Sequence, residues 1–168
     1  GERRLVQKNE GFASFIADDD YRVRFAVRFT PDGGKEILRA TESGDLQPFM
    51  HISMEDVFTT GLIDFDKSGR VLYMEDSLGR DTSALVAVNL DTGEKTVIAS
   101  DPRSDLEDMM FHPTEKHPQA VAFMHERKRW VPQNEAVSEA FSYLRTVSEG
   151  DIKIVSRSRS DRRWIVAY

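Results

Sequence analysis

Residues Tyr21 to Phe29 keep strict step: positions 21, 23, 25, 27 and 29 are apolar, while 22, 24 and 28 are arginine. A period of two sends neighbouring side chains to opposite faces of an extended chain, so this segment reads as a half-buried strand. Pro31-Asp32-Gly33-Gly34 follows. Proline presets φ and glycine accepts a positive one, so the chain reverses and Lys35 to Ala40 returns as the second strand of a hairpin. Further strands are expected over Thr60 to Phe65, Arg70 to Glu75, Ala84 to Asn89 and Glu94 to Ala99. The turns between them are Asp66-Lys67-Ser68-Gly69, Asp76 to Asp81 and Asp91-Thr92-Gly93, with Gly69, Arg80, Asp81, Asp91 and Gly93 as structural turn residues. Four short strands joined this way make one antiparallel sheet.

A strand, turn, strand unit recurs at Leu62 to Tyr73, Met109 to Phe123 and Ile152 to Tyr168, and its last aromatics lie about 45 to 50 residues apart. That is the length of a four-stranded propeller blade, with Tyr21 to Ala40 as the outer half of an earlier one. One segment has another period. Val137, Ala140, Phe141, Leu144 and Val147 fall at helical spacing, with Asn134 as N-cap and Gly150 past the end, which predicts a single amphipathic helix whose stripe packs on the core. The expected fold is all-β, a partial β-propeller of about three four-stranded antiparallel blades with one inserted helix near 134–148. Residues 1–10 form an N-terminal arm and 11–168 the propeller segment. Its blade portions fall at about 11–45, 46–104 and 105–133, then the helix at 134–148 and the start of the next blade at 150–168.

Composition removes several classes of function. With 39% hydrophobic residues and 16 aromatics the chain of 168 can build a core, and no run approaches the roughly 20 apolar residues of a membrane span, so no membrane partner is expected. Cysteine is absent, which removes disulfides and thiolate chemistry and leaves both cytoplasm and bacterial periplasm open as the address. The net charge of -6 disfavours nucleic acid. Ser156 to Arg163 holds four arginines in eight residues, and it reads as a solvated turn feeding the apolar strand Trp164-Ile165-Val166-Ala167. Gly1 to Asn9 has basic residues but no apolar run, so no signal peptide is expected, and Gly1 in place of Met suggests either an artificial or a processed start.

Asp64 to Glu75 matches a calcium-binding loop letter by letter, with Asp64, Asp66 and Ser68 at positions 1, 3 and 5, Gly69 at 6 and Glu75 at 12. Those four oxygen-bearing residues are weak calcium candidates. The loop needs a helix on each side, whereas Phe58-Thr59-Thr60-Gly61 and Asp76-Ser77-Leu78-Gly79 are β-branched, glycine-broken or turn-forming, so the same letters read better as a hairpin. Asp91-Thr92-Gly93 and Gly79-Arg80-Asp81 echo two signatures of aspartic peptidases, but in the wrong order and followed by Glu94 in place of a small hydroxyl residue, so they too read as turns. His51, His112, His117 and His125 lack zinc-protease spacing, and the prolines beside His112 and His117 place those imidazoles in a solvent-facing turn. There is no Gly-x-Ser-x-Gly elbow and no phosphate loop. No catalytic residue, metal or cofactor is expected in this chain.

Gly69 to Leu85, followed by Asn89-Leu90-Asp91-Thr92-Gly93-Glu94, resembles the β-propeller of prolyl oligopeptidase family serine peptidases. The nearest likeness is to the bacterial acylaminoacyl-peptidase-like and dipeptidyl-aminopeptidase-like branch. Tyr21 to Arg24, Pro31 to Gly34, Gln119 to Ala122, Arg129-Trp130 before the helix and Arg162 to Val166 extend the resemblance from about Gly11 onward. It implies a non-catalytic propeller segment that covers an α/β-hydrolase domain of the same parent chain and restricts access to short peptides. The serine, aspartate and histidine of the parent peptidase would lie beyond Tyr168. The alternatives from other classes are a propeller-like binding module of a non-peptidase protein and a calcium-binding protein using Asp64 to Glu75.

About three blades cannot close a ring of seven or so. The segment is therefore expected to self-associate, most simply as a twofold dimer that joins open blades or pairs the 164–168 strand, with Trp164 and Val166 as the residues whose change to lysine would disrupt it.

Overall fold

The computed structural model describes residue 3 and residues 5–168, so Gly1, Glu2 and Arg4, part of the expected N-terminal arm, lie outside the described residues. The chain is mostly β. Its first sheet is a meander in the order β1 (Ser14–Ala17), β2 (Val23–Phe29), β3 (Lys35–Ala40) and β4 (Leu46–Ile52). After a 3₁₀ turn at Met54–Asp56 the second sheet follows, in the order β5 (Gly61–Phe65), β6 (Val71–Asp76), β7 (Ala84–Asn89) and β8 (Lys95–Ser100). β9 (Leu106–Phe111), β10 (Pro118–Met124) and β11 (Lys128–Pro132) form a three-stranded sheet with β10 central. Helix α1 (Glu135–Val147) then leads to a two-stranded hairpin of β12 (Lys153–Arg157) and β13 (Trp164–Ala167). Every strand pair is antiparallel.

The sheets stack in chain order, and the alternation along each strand is what makes this possible. In β6, Leu72 and Met74 join a core with Phe25, Ile37 and Ile52 of the first sheet. Val71 and Tyr73 point the other way and join Leu106, Val121 and Phe123 of the third. The third sheet repeats the device: Val121 and Phe123 face back, while Ala120, Ala122, Met110 and Trp130 face forward onto Val137 and Phe141 of α1 and onto Ile154, Trp164 and Val166 of the last hairpin. A strand buried on both faces cannot alternate apolar with polar, which is why β6, β7 and β10 carry the apolar runs Val71 to Met74, Ala84 to Val88 and Ala120 to Met124.

Two glycines are required by geometry. A Cβ on Gly34 would meet the Ile52 carbonyl oxygen at 2.4 Å, so the end of β4 can lie against this turn only without a side chain there. Gly69 has φ +68, which lets the β5–β6 turn reverse at Asp66 to Arg70.

Several expectations change. The repeat units Leu62 to Tyr73, Met109 to Phe123 and Ile152 to Tyr168 each hold the first hairpin of a successive sheet, but the sheets are not uniform four-stranded units, with four, four, three and two strands. Tyr21 to Ala40 is not an outer half: β2 and β3 are the middle strands of their sheet, flanked by β1 and β4. β4 pairs with β3, so the first sheet runs through Ile52 and the division expected between 45 and 46 falls after it. Tyr21 and Phe29 are exposed because β2 begins at Val23 and Phe29 sits at its free end. Within the helix Val137 and Phe141 are buried, but Val147 lies in the last turn and is exposed.

Candidate functional site

Of the four calcium candidates, Asp64 and Glu75 engage separate partners, while Asp66 and Ser68 bond to each other. Asp64 ends in β5 and its carboxylate accepts from Lys116 Nζ at 3.2 Å. Asp66 caps the turn, accepting from the amides of Arg70 at 3.0 Å and Val71 at 2.9 Å and from Ser68 Oγ at 2.6 Å. Burial raises its pKa, but these hydrogen bonds together outweigh that and hold the carboxyl below its ordinary value. Glu75 lies in β6 opposite Gly61 and accepts from Ser83 Oγ at 2.6 Å. The segment is the β5–β6 hairpin, and among the described residues no group of three or more acidic or imidazole side chains is disposed to hold a metal ion.

The other singled-out residues occupy connections. Asp91 and Gly93 form the β7–β8 turn, where Asn89 Oδ1 accepts from the Asp91 amide at 2.9 Å and Arg70 reaches across to the Asp91 carboxylate. Arg80 and Asp81 are exposed in the β6–β7 connection, with the Arg80 amide bonded to the Ser77 carbonyl. His51 is on β4, 3.8 Å from Asp32. His112 and His117 stack with centroids 5.4 Å apart in the β9–β10 turn; His117 is solvent-facing, but His112 is half-buried because its Nδ1 accepts from the Glu115 amide.

The Ser156 to Arg163 segment is not simply a solvated turn. Arg157 is the last residue of β12, with an 11% exposed side chain that donates to Asp161 at 2.8 Å, to Gln119 Oε1 at 2.5 Å and to the Phe111 carbonyl. Trp164 Nε1 donates to the same Asp161 carboxylate at 2.9 Å. The network ties the final hairpin to the third sheet, so an arginine-rich turn works here as a strut.

A concavity lies elsewhere. A cleft of about 610 Å³ opens between the loop before β9, the β10–β11 turn and the connection from α1 to β12. Phe123, Trp130 and Ile152 line it, and Trp130 is fixed there by stacking on Phe141 and by donating Nε1 to the Ile152 carbonyl at 2.8 Å. Asp101 forms one wall. It is nearly buried and accepts from the Arg103 amide and the Arg129 guanidinium, which hold its carboxyl below the usual range. Lys128 lies 5.0 Å from the Trp130 ring centre and pairs with Asp108. Arg127 pairs with Asp151 at 3.1 Å and donates to the Glu149 carbonyl. Arg145, on the last turn of α1, donates only to the Trp130 carbonyl at 3.3 Å and has no carboxylate partner among the described residues. The lining holds no nucleophile paired with a base. Its walls come from three distant segments, so the sequence reading did not find it.

A dipeptidyl aminopeptidase BIII from Pseudoxanthomonas mexicana is 36% identical over 169 residues, covering 100% of this chain and 24% of the relative. A dipeptidyl peptidase family member 6 from Caenorhabditis elegans is 30% identical over 177 residues, covering 99% of this chain and 24% of the relative. The chain thus spans about a quarter of the length of the curated relatives it matches. No protein-family model matches it, and no solved structure does.

Proposed function

We propose that this chain is a non-catalytic propeller segment of a dipeptidyl-peptidase-type serine peptidase, where it covers the hydrolase domain and restricts access to short peptides. The observation that carries the reading is the end-to-end match to two proteins named as dipeptidyl peptidases, each about four times its length. The stack of antiparallel sheets, in which the second and third are packed on both faces, supports it, because blades of a propeller pack in this manner. A rigid wall of sheets contributes by exclusion, which needs no titratable group of its own. Its partners in this reading are the hydrolase domain of the parent and, through it, a peptide substrate.

The last sheet, β12 with β13, has two strands. β13 is an edge strand with neither charge nor proline, whereas β4 carries Pro48 and β8 carries Lys95. Such an edge is open to pairing, and in the absence of the parent a second copy is the occupant available.

Size selectivity tests the gating role. The full-length gene product should release dipeptides from short chromogenic peptides while leaving the same sequence intact when it is embedded in a folded protein. Equal cleavage of both contexts would refute gating, and no dipeptide release would refute the peptidase assignment.

A further inference from the structure

The turn from the first to the second strand of each sheet contains one residue of positive φ: Tyr21 at +59, Gly69 at +68, Lys116 at +54 and Asp161 at +56. Glycine takes that conformation freely, whereas any other residue takes it at a cost, so a side chain kept there points to a use. For Asp161 the use is the strut already described, since its carboxylate holds Gln119 and Arg157. Lys116 reaches further. Its Nζ lies 2.7 Å from Asp19 in the β1–β2 turn and 3.2 Å from Asp64 in β5, so one amine on the third sheet ties the first and the second.

That contact constrains the shape of the stack. Along the cores the second sheet separates the first from the third. Sheets packed face to face lie about 10 Å apart, so two layers would hold the outer pair about 20 Å apart, beyond the reach of a lysine. The sheets therefore fan, and they close together where β1, β5 and β9 end. Two further ties lie at the same corner: Arg24 donates to the Gly69 carbonyl at 3.0 Å, and Lys67 pairs with Glu115 at 2.9 Å. Burial works against the charge of Lys116, but the Asp19 and Asp64 carboxylates outweigh it and hold the amine above its ordinary value. The depression left among these turns, lined in part by Asp18, Arg24, Phe65 and Lys116, holds about 140 Å³, less than a small-ligand site needs. The corner is a closed point.

From this convergence we propose that Lys116 is a specificity-determining residue of the parent peptidase, a crossbar that narrows the passage running along the first strands and excludes wide substrates at this end. The role rests on the gating reading above and deepens it, because it assigns the exclusion to one side chain. Lys116 acts by position: it holds the Asp18 to Asp20 turn against the β5–β6 and β9–β10 turns.

The test uses the full-length gene product with two substrates that share an N-terminal dipeptide, a short chromogenic peptide and a stable β-hairpin peptide, which is wider than an extended chain. Lys116→Ala and Lys116→Glu should each raise kcat/KM for the hairpin by about tenfold relative to the short peptide, whose own rate stays unchanged. Asp19→Lys added to Lys116→Glu reverses the pair and should restore most of the original selectivity. The unfolding midpoint establishes that each variant is folded. An unchanged ratio in folded Lys116→Ala, an equal fall on both substrates, or a reversed pair no more selective than Lys116→Glu would overturn the crossbar. An original protein that cleaves the hairpin as readily as the short peptide would refute gating itself, and the crossbar with it, whereas an excluded hairpin with indifferent variants would refute the role of Lys116 alone.

Discussion

At the scale of single residues, the polar groups between sheets carry the most readable energetics. Glu75 is half-buried beside Ser83, Asp105 and Lys35, and burial first, then the Asp105 charge, raises its carboxyl above the ordinary glutamate value despite the Ser83 bond and Lys35. A raised pKa means that folding favours the neutral form. The stability it contributes is complete below the ordinary glutamate range and is lost as pH rises through the raised value. Glu75→Gln removes that titration, so the variant should gain on the wild type between acid and neutral pH, by on the order of a few tenths of a kcal/mol because solvent screens a half-exposed group. Urea unfolding across that range measures it, and a pH-independent difference would contradict the assignment. The sequence alone does not reveal such residues: Glu75 reads as a ligand of a calcium loop, and its neighbour Ser83 lies across a connection that local spacing does not describe.

At the scale of elements, legibility followed turn chemistry. The four strands of the second sheet lie within a residue of their expected bounds because each is framed by a glycine or aspartate turn and is continuous in apolar residues. β1 is only four residues long, β4 contains Pro48, and β11 begins in the basic run Lys128-Arg129, so none of the three carries a clear strand pattern. Arg157 and Asp161 were hidden for the converse reason, since charged letters read as solvated until a long-range partner such as Gln119 is known. The helix was legible from its cap and stripe. Asn134 Oδ1 accepts from the Val137 amide at 3.0 Å, and Phe141 is fully buried against Trp130. Asn134→Ala should cost about 1 kcal/mol and Phe141→Ala about 3–5 kcal/mol in chemical unfolding. Similar costs for the two would mean that α1 is held by its cap and not by its packing.

At the scale of the whole molecule, the stack is open at its last hairpin, where Val155 and Ile165 are exposed and β13 has a free edge. The residues first expected at such a contact, Trp164 and Val166, instead pack inward on the α1 cluster, so lysine there would damage the core. Ile165→Lys with Val155→Lys is the informative variant. Light scattering on a sizing column should give a dimer for the original chain and a monomer for that variant; a monomeric original chain would contradict self-association.

The central claim, a gating segment separate from the catalytic serine, is tested most directly by labelling the full-length gene product and this chain with a serine-directed phosphonate probe and mapping the modified residue by mass spectrometry. The account predicts one labelled serine in the full-length protein, outside the 168 residues described by this sequence, and no labelling of the chain alone. A labelled serine within the chain, or a full-length protein that takes no label, would contradict it.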